Sequence, residues 1–175
     1  MADKTTLSPR LMGYAQHVRE HFPRVITGTT VIDLDALADE VCTSLDDFPL
    51  TIGVLGCTVF EHGEVYIAIR EGLWRDEPAR YRFTLAHELS EILLRRYLDA
   101  SPDQSRREHV CDAFAAELLL PHAAVLASVN VLMQAHVGGP GPSQVTLDQL
   151  ARRMALIYEV SPAVARISIA ECVVA

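Results

Sequence analysis

The stretch Arg82-Phe83-Thr84-Leu85-Ala86-His87-Glu88-Leu89-Ser90-Glu91 reads as the opening of a helix whose polar residues are spaced for chemistry. On an α-helix, positions i and i+4 share a face with Cβ atoms roughly 5–6 Å apart. His87 and Glu91 can therefore converge on one ion. Glu88 follows His87 about a hundred degrees round the axis, where it reaches a water held by that ion without being a ligand itself. Leu85, Leu89, Ile92 and Leu93 form a core-facing stripe, and Thr84, His87, Glu91 and Leu94 form a second one. The helix is expected over 79–96.

Downstream, a polar loop at 99–104 carries Pro102, and a second helix is expected from Ser105 to Leu120, closed by Pro121. Glu108 and Asp112 again lie four apart on one face. A carboxylate there can supply a third ligand, and Asp112 can orient His87 by accepting its other ring N–H. Ala113, Ala115 and Ala116 are small enough to let two helices approach closely. His109 and His122 are the alternative nitrogen donors.

Upstream, Ser8-Pro9 has the chemistry of a helix start, and Pro23 ends that helix. Asp33 caps a second helix with Leu34, Leu37, Ala38 and Val41 on one side. Asp46 to Pro49 reads as a turn, 50–60 as a strand, Glu61-His62-Gly63-Glu64 as a hairpin turn and 65–69 as a second strand. Gly53 and Gly56 suggest a bulge or bend in the first strand. The 65–69 strand is the candidate edge for β-augmentation by a peptide. Trp74 lies in the following loop, where packing over the core edge is the simplest role. Beyond 121, a short helix is expected over 122–133, then a Gly/Pro-rich break at 138–142. Thr146 caps a helix to Tyr158, and Ser161-Pro162 opens a last one.

At 175 residues, half of them hydrophobic, the chain is long enough for a substantial core. A formal charge of −8 argues against direct nucleic-acid binding, which needs a cationic footprint. No apolar run reaches the length of a membrane span, and the first residues lack the pattern of an export signal. A cytoplasmic protein with no membrane attachment is expected. Its four cysteines, Cys42, Cys57, Cys111 and Cys172, are then expected as reduced thiols. His17 and His21 lie four apart as well, but with no third donor nearby they read as a solvated face.

His87-Glu88 with position 91 follows the His-Glu-x-x-His pattern of metallopeptidases with glutamate in place of the second histidine. The stretch 82–121 resembles the ImmA/IrrE family of bacterial metallopeptidases, which share the Glu-x-x-x-Asp pattern of gluzincins. The resemblance rests on Arg82 to Glu91, then on Glu108, Cys111, Asp112, Phe114, Ala115, Leu118, Leu119 and Pro121. It extends more weakly to the helix at 33–43, the hairpin and 147–163. It implies an α+β fold: a helical metallopeptidase-like domain with a small antiparallel sheet (hairpin about 50–69) beside the active-site helix. The domain is expected over 1–136, with the break at 137–145 and a C-terminal helical pair over 146–175 packed on it.

By position, the resemblance implies His87, Glu91 and Glu108 as metal ligands, Glu88 as general base and Asp112 as the carboxylate behind His87. Zinc is the expected ion. Two carboxylates make the centre more neutral, which acidifies water less and shifts preference toward manganese or iron(II). The implied activity is an endopeptidase that cleaves a DNA-binding transcriptional repressor, in gene regulation and stress response. The rival is a metal-free pseudo-peptidase that binds a regulator without cutting it. Tyr81, Tyr97, His109 and His122 are the candidate proton donors.

Overall fold

The computed structural model describes residues 7–26, 28–100, 103–136 and 141–174. Helix α1 (Pro9–His21) begins where Ser8 Oγ accepts the Leu11 N–H at 3.4 Å. Strands β1 (Pro23–Ile26) and β2 (Thr29–Ile32) then pair antiparallel, a hairpin not expected from the sequence. Asp33 caps α2 (Leu34–Val41) through the Ala36 N–H.

The main sheet has three strands, β3 (Ser44–Phe48), β4 (Gly56–Glu61) and β5 (Glu64–Arg70), in the order β3-β5-β4. The expected hairpin is β4–β5. His62 (φ 51°) and Gly63 (φ 88°) both sit in the left-handed region, as a two-residue turn matched to strand twist requires. Three expectations need correcting. Residues 46–48 belong to strand β3, which pairs parallel with β5. Its exposed aspartates hid it, because a strand at the rim of a sheet needs no alternating apolar pattern. Strand β4 begins only at Gly56, after a turn through Gly53 at φ 92°. Most consequentially, β5 is the central strand and not an edge; the edges are β3 and β4, and among the described residues no strand pairs with the outer margin of β4.

Helices α3 (Leu73–Asp76), α4 (Pro78–Leu93) and α5 (Arg95–Leu98) follow, then α6 (Gln104–Leu119), α7 (His122–Gln134), α8 (Gln144–Tyr158) and α9 (Pro162–Val174). The expected single helix over 79–96 is therefore α4 broken from α5 after Leu93. Trp74 is 54% exposed and does not pack over the core; its indole N–H donates to Asp47 at 3.0 Å. Ser143, not Thr146, caps α8 by accepting the Thr146 N–H. The helix starts three residues earlier than expected because Ser143 offers its oxygen with extended backbone. Part of the Gly/Pro-rich break, 137–140, lies outside the described residues.

The core lies between α4 and α6. Leu85, Ala86 and Leu89 meet Phe114, Ala115 and Leu118 in one buried cluster, all with essentially no exposure. Leu11, Ala15 and Val18 of α1 close it from one side, and Tyr14 sets its ring 5.7 Å from Phe114. The C-terminal helices join the same cluster through Ala151, Met154, Ala165 and Ile169. Sheet residues Ile67 and Ile69 close the remaining side, with β4 and β5 packed on α4.

Two arginines fasten this arrangement. Arg19 reaches across to the end of α6, donating to the Leu118 carbonyl and, at 3.5 Å, to that of Leu119; its second nitrogen donates to the Thr30 carbonyl at 3.1 Å. The Leu118 and Leu119 carbonyls close α6 without intrahelical partners, so a cation suits them. Arg82, at the start of the quoted stretch, pairs with Glu159 at 3.4 Å and donates to the Ile32 carbonyl at 3.3 Å. Removing one partner from a charged, partly buried hydrogen-bond set costs about 1.5–3 kcal/mol. Arg19→Met is expected to lower the stability by that amount in urea unfolding, with the m-value unchanged.

Candidate metal centre

Helix α4 points His87 and Glu91 toward α6, whose Glu108 and Asp112 face back. The His87 ring is held at both nitrogens. Its Nδ1 lies 2.8 Å from Asp112 Oδ1, and its Nε2 lies 3.3 Å from Glu108 Oε2. The short contact assigns the proton of Nδ1 to the bond with Asp112, which leaves the lone pair on Nε2, on the side of Glu108. Glu108 is anchored in turn by Gln104, whose amide donates to Oε1 at 2.5 Å. His87, Glu91 and Glu108 each offer one ligand atom within 4.8 Å of the others. They are the one such trio among the described residues, and His109 and His122 stand outside it. His122 instead lies at the start of α7, its backbone N–H donating to Glu117 and its ring 3.8 Å from the Cys172 thiol.

Glu88 is only 6% exposed, turned toward the sheet. Thr58 of β4 donates its hydroxyl to Glu88 Oε2 at 2.7 Å. Gly56, on the same strand face, explains how the carboxyl fits. A Cβ built there falls 2.7 Å from both Glu88 Oε1 and the Thr84 methyl. The glycine serves the close approach of strand to helix, not a bulge. Neither Gly56 nor Thr58 was singled out from sequence as part of the site. The signal was present in their i, i+2 spacing on a strand beside the helix.

The charges are ill-matched without a cation. Glu88, Glu91, Glu108 and Asp112 surround one imidazole. Burial pushes the Glu88 carboxyl up to about 7, with the Thr58 hydrogen bond opposing and Glu91 adding to the rise. Burial also raises Glu91, offset by His87. The Asp112 hydrogen bond raises His87 against its own burial. Neighbouring Cys111 is pushed up to about 12, by burial first and then by the same carboxylates, so its thiol stays protonated. One imidazole nitrogen with two carboxylate oxygens is a donor set that a divalent ion accepts, and such an ion relieves the repulsion.

The helix pair, with a histidine backed by a carboxylate and a buried glutamate beside it, defines a metallopeptidase-like domain. Residues 74–166, more than half of the chain, match the Peptidase_M78 family, the IrrE N-terminal-like domain; the chain belongs to that family. No curated protein sequence matches it significantly. No single helix among the described residues is long and apolar enough to cross a membrane.

Two substitutions test the geometry. Loss of the group that orients a ligating histidine typically costs 10–100-fold in metal affinity, and Asp112→Ala is expected to weaken zinc binding by roughly that factor in a chelator competition titration. Gly56→Ala is expected to lower the melting temperature, because strand or helix must shift to relieve the contact. An unchanged melting curve would show that Glu88 does not press on β4.

Proposed function

We propose that the chain is a metal-dependent endopeptidase in which His87, Glu91 and Glu108 hold a divalent ion, zinc first, with manganese or iron(II) as alternatives. The observation that carries this reading is the convergence of those three donors while Asp112 fixes the His87 ring. Such an ion supplies positive charge that acidifies water and polarises a peptide carbonyl. Glu88, with a carboxyl pushed up to about 7, is matched to accept a proton at neutral pH and return it to the departing amine. Thr58 keeps that carboxylate oriented. The outer margin of β4 has no strand partner among the described residues, and an extended peptide pairing there would run past Gly56 and Thr58 beside Glu88.

The substrate we propose, from the family resemblance, is a DNA-binding transcriptional repressor cut to relieve repression inside the cell. The charge of −8 favours a basic partner of that kind by complementarity. None of the candidate proton donors is drawn into the trio. Tyr81 is held protonated to about 12 by burial and then by Asp35 and Asp47.

The rival reading, a pseudo-peptidase that grips a regulator without cutting it, draws on the burial of Glu88 and on glutamate at position 91. Elemental mass spectrometry of the purified chain separates the two. Near one ion per chain, lost in both Glu91→Ala and Glu108→Ala, is expected for a metal-dependent site. No ion even after zinc or manganese is offered would sink the enzyme. In the metal-bearing protein, Glu88→Gln is expected to lower cleavage of a partner by roughly 10²–10⁴-fold without loss of the ion.

A further inference from the structure

Between α1, α5 and the first turns of α6 the structure holds a cavity of about 800 Å³. Its floor is apolar: Leu11, Leu98 and Val110 are buried members of the core, and Tyr14 lines it on its way to Phe114. Its rim is cationic. Arg10, Arg96, Arg106 and Arg107 all line it, and no acidic residue does among those described. Arg10, Arg96 and Arg106 are exposed and have no ion-pair partner among the described residues. In a chain of net charge −8, four arginines gathered at one cavity without a carboxylate form a local reversal of sign. Like charges so placed repel one another, and an anion settling among them relieves the repulsion.

We propose that this cleft binds an amphipathic organic anion, its apolar body on the Leu11–Leu98–Val110 floor and its carboxylate or phosphate head among the arginines. The volume lies within the roughly 300–1,000 Å³ of small-molecule sites, which likewise combine apolar walls with a few polar anchors. Guanidinium forks suit both head groups, because two parallel N–H donors match two oxygens of either. The site is independent of the proposed peptidase chemistry. Leu98 and Arg107 touch both regions, since they also line the small pocket beside Glu91 and Glu108.

Dodecanoate, offered below its micellar concentration to the full chain and followed by calorimetry, is expected to bind once per chain and less tightly as salt is raised. Dodecyl phosphate in a parallel titration distinguishes the head groups, and binding by either supports the cleft. Dodecyltrimethylammonium has the same tail with the opposite charge and is expected not to bind. R10E/R96E/R106E changes exposed residues only and is expected to keep the parent melting temperature while weakening dodecanoate roughly tenfold or more. Should that variant melt early, Arg96→Gln alone is expected to reduce the salt dependence of binding. The proposal is overturned if neither anion binds, if the cation binds as well as they do, or if the arginine variants bind like the parent. It is equally overturned if sedimentation shows a dimer whose formation dodecanoate does not oppose, because the cleft would then belong to a second copy.

Discussion

Between α4 and α6 the imidazole of His87 bridges Asp112 and Glu108, and the rest of the molecule has to bring the two helices close enough for that bridge. The approach depends on residues with little bulk at the contact. Ala86 and Ala115 are fully buried between larger side chains of both helices, so the backbones come near while Leu85, Leu89, Phe114 and Leu118 interlock around them. Apolar burial supplies the driving force, about 25 cal/mol for each Å² removed from water. Part of that gain offsets the repulsion of four carboxyl groups gathered at one end of the interface. The site is thus an electrostatic cost carried by a hydrophobic contact, a common arrangement where chemistry is built into a fold.

The sheet adds a second constraint, at right angles to the first. Strand β4 presses so closely on α4 that Gly56 leaves no room for a side chain, and Thr58 engages the carboxylate of Glu88. One helix thereby faces two neighbours with two consecutive residues. His87 answers to α6, and Glu88 answers to β4. The hundred-degree step between adjacent helical positions is what allows that division, and it makes the orientation of α4 about its own axis the quantity on which the site depends.

Much of this was legible in the chain itself. The i, i+4 pairs His87/Glu91 and Glu108/Asp112 placed the four polar residues on facing helices, because helical periodicity is local and survives any packing. The hairpin turn at His62-Gly63 was legible for the same reason. What escaped was non-local. Nothing in Ser44 to Phe48 announces a parallel partner about twenty residues away, so its aspartates have the look of a turn and β5 that of an edge. The hairpin at Pro23 to Ile32 lacks both an apolar alternation and a strong turn dipeptide. Gly56 was noticed but for the wrong reason, since a close contact with a distant helix leaves the same residue as a bulge does. Arg82 was noticed only as part of a motif, and its pairing with Glu159 had no local signature.

That pairing reaches further than a single ion pair. Glu159 ends α8 in the left-handed region at φ 54° and takes Arg24 at 2.6 Å as well as Arg82. One carboxylate therefore ties the N-terminal hairpin, the active helix and the C-terminal helices at a common knot. Arg82 stands five residues before His87, about 7.5 Å along the same helix axis. The C-terminal helices are in this sense moored to the first turns of the helix that presents the histidine. Among the described residues the C-terminal helices add nothing to the donor trio, yet one of their carboxylates holds the start of the helix that carries His87.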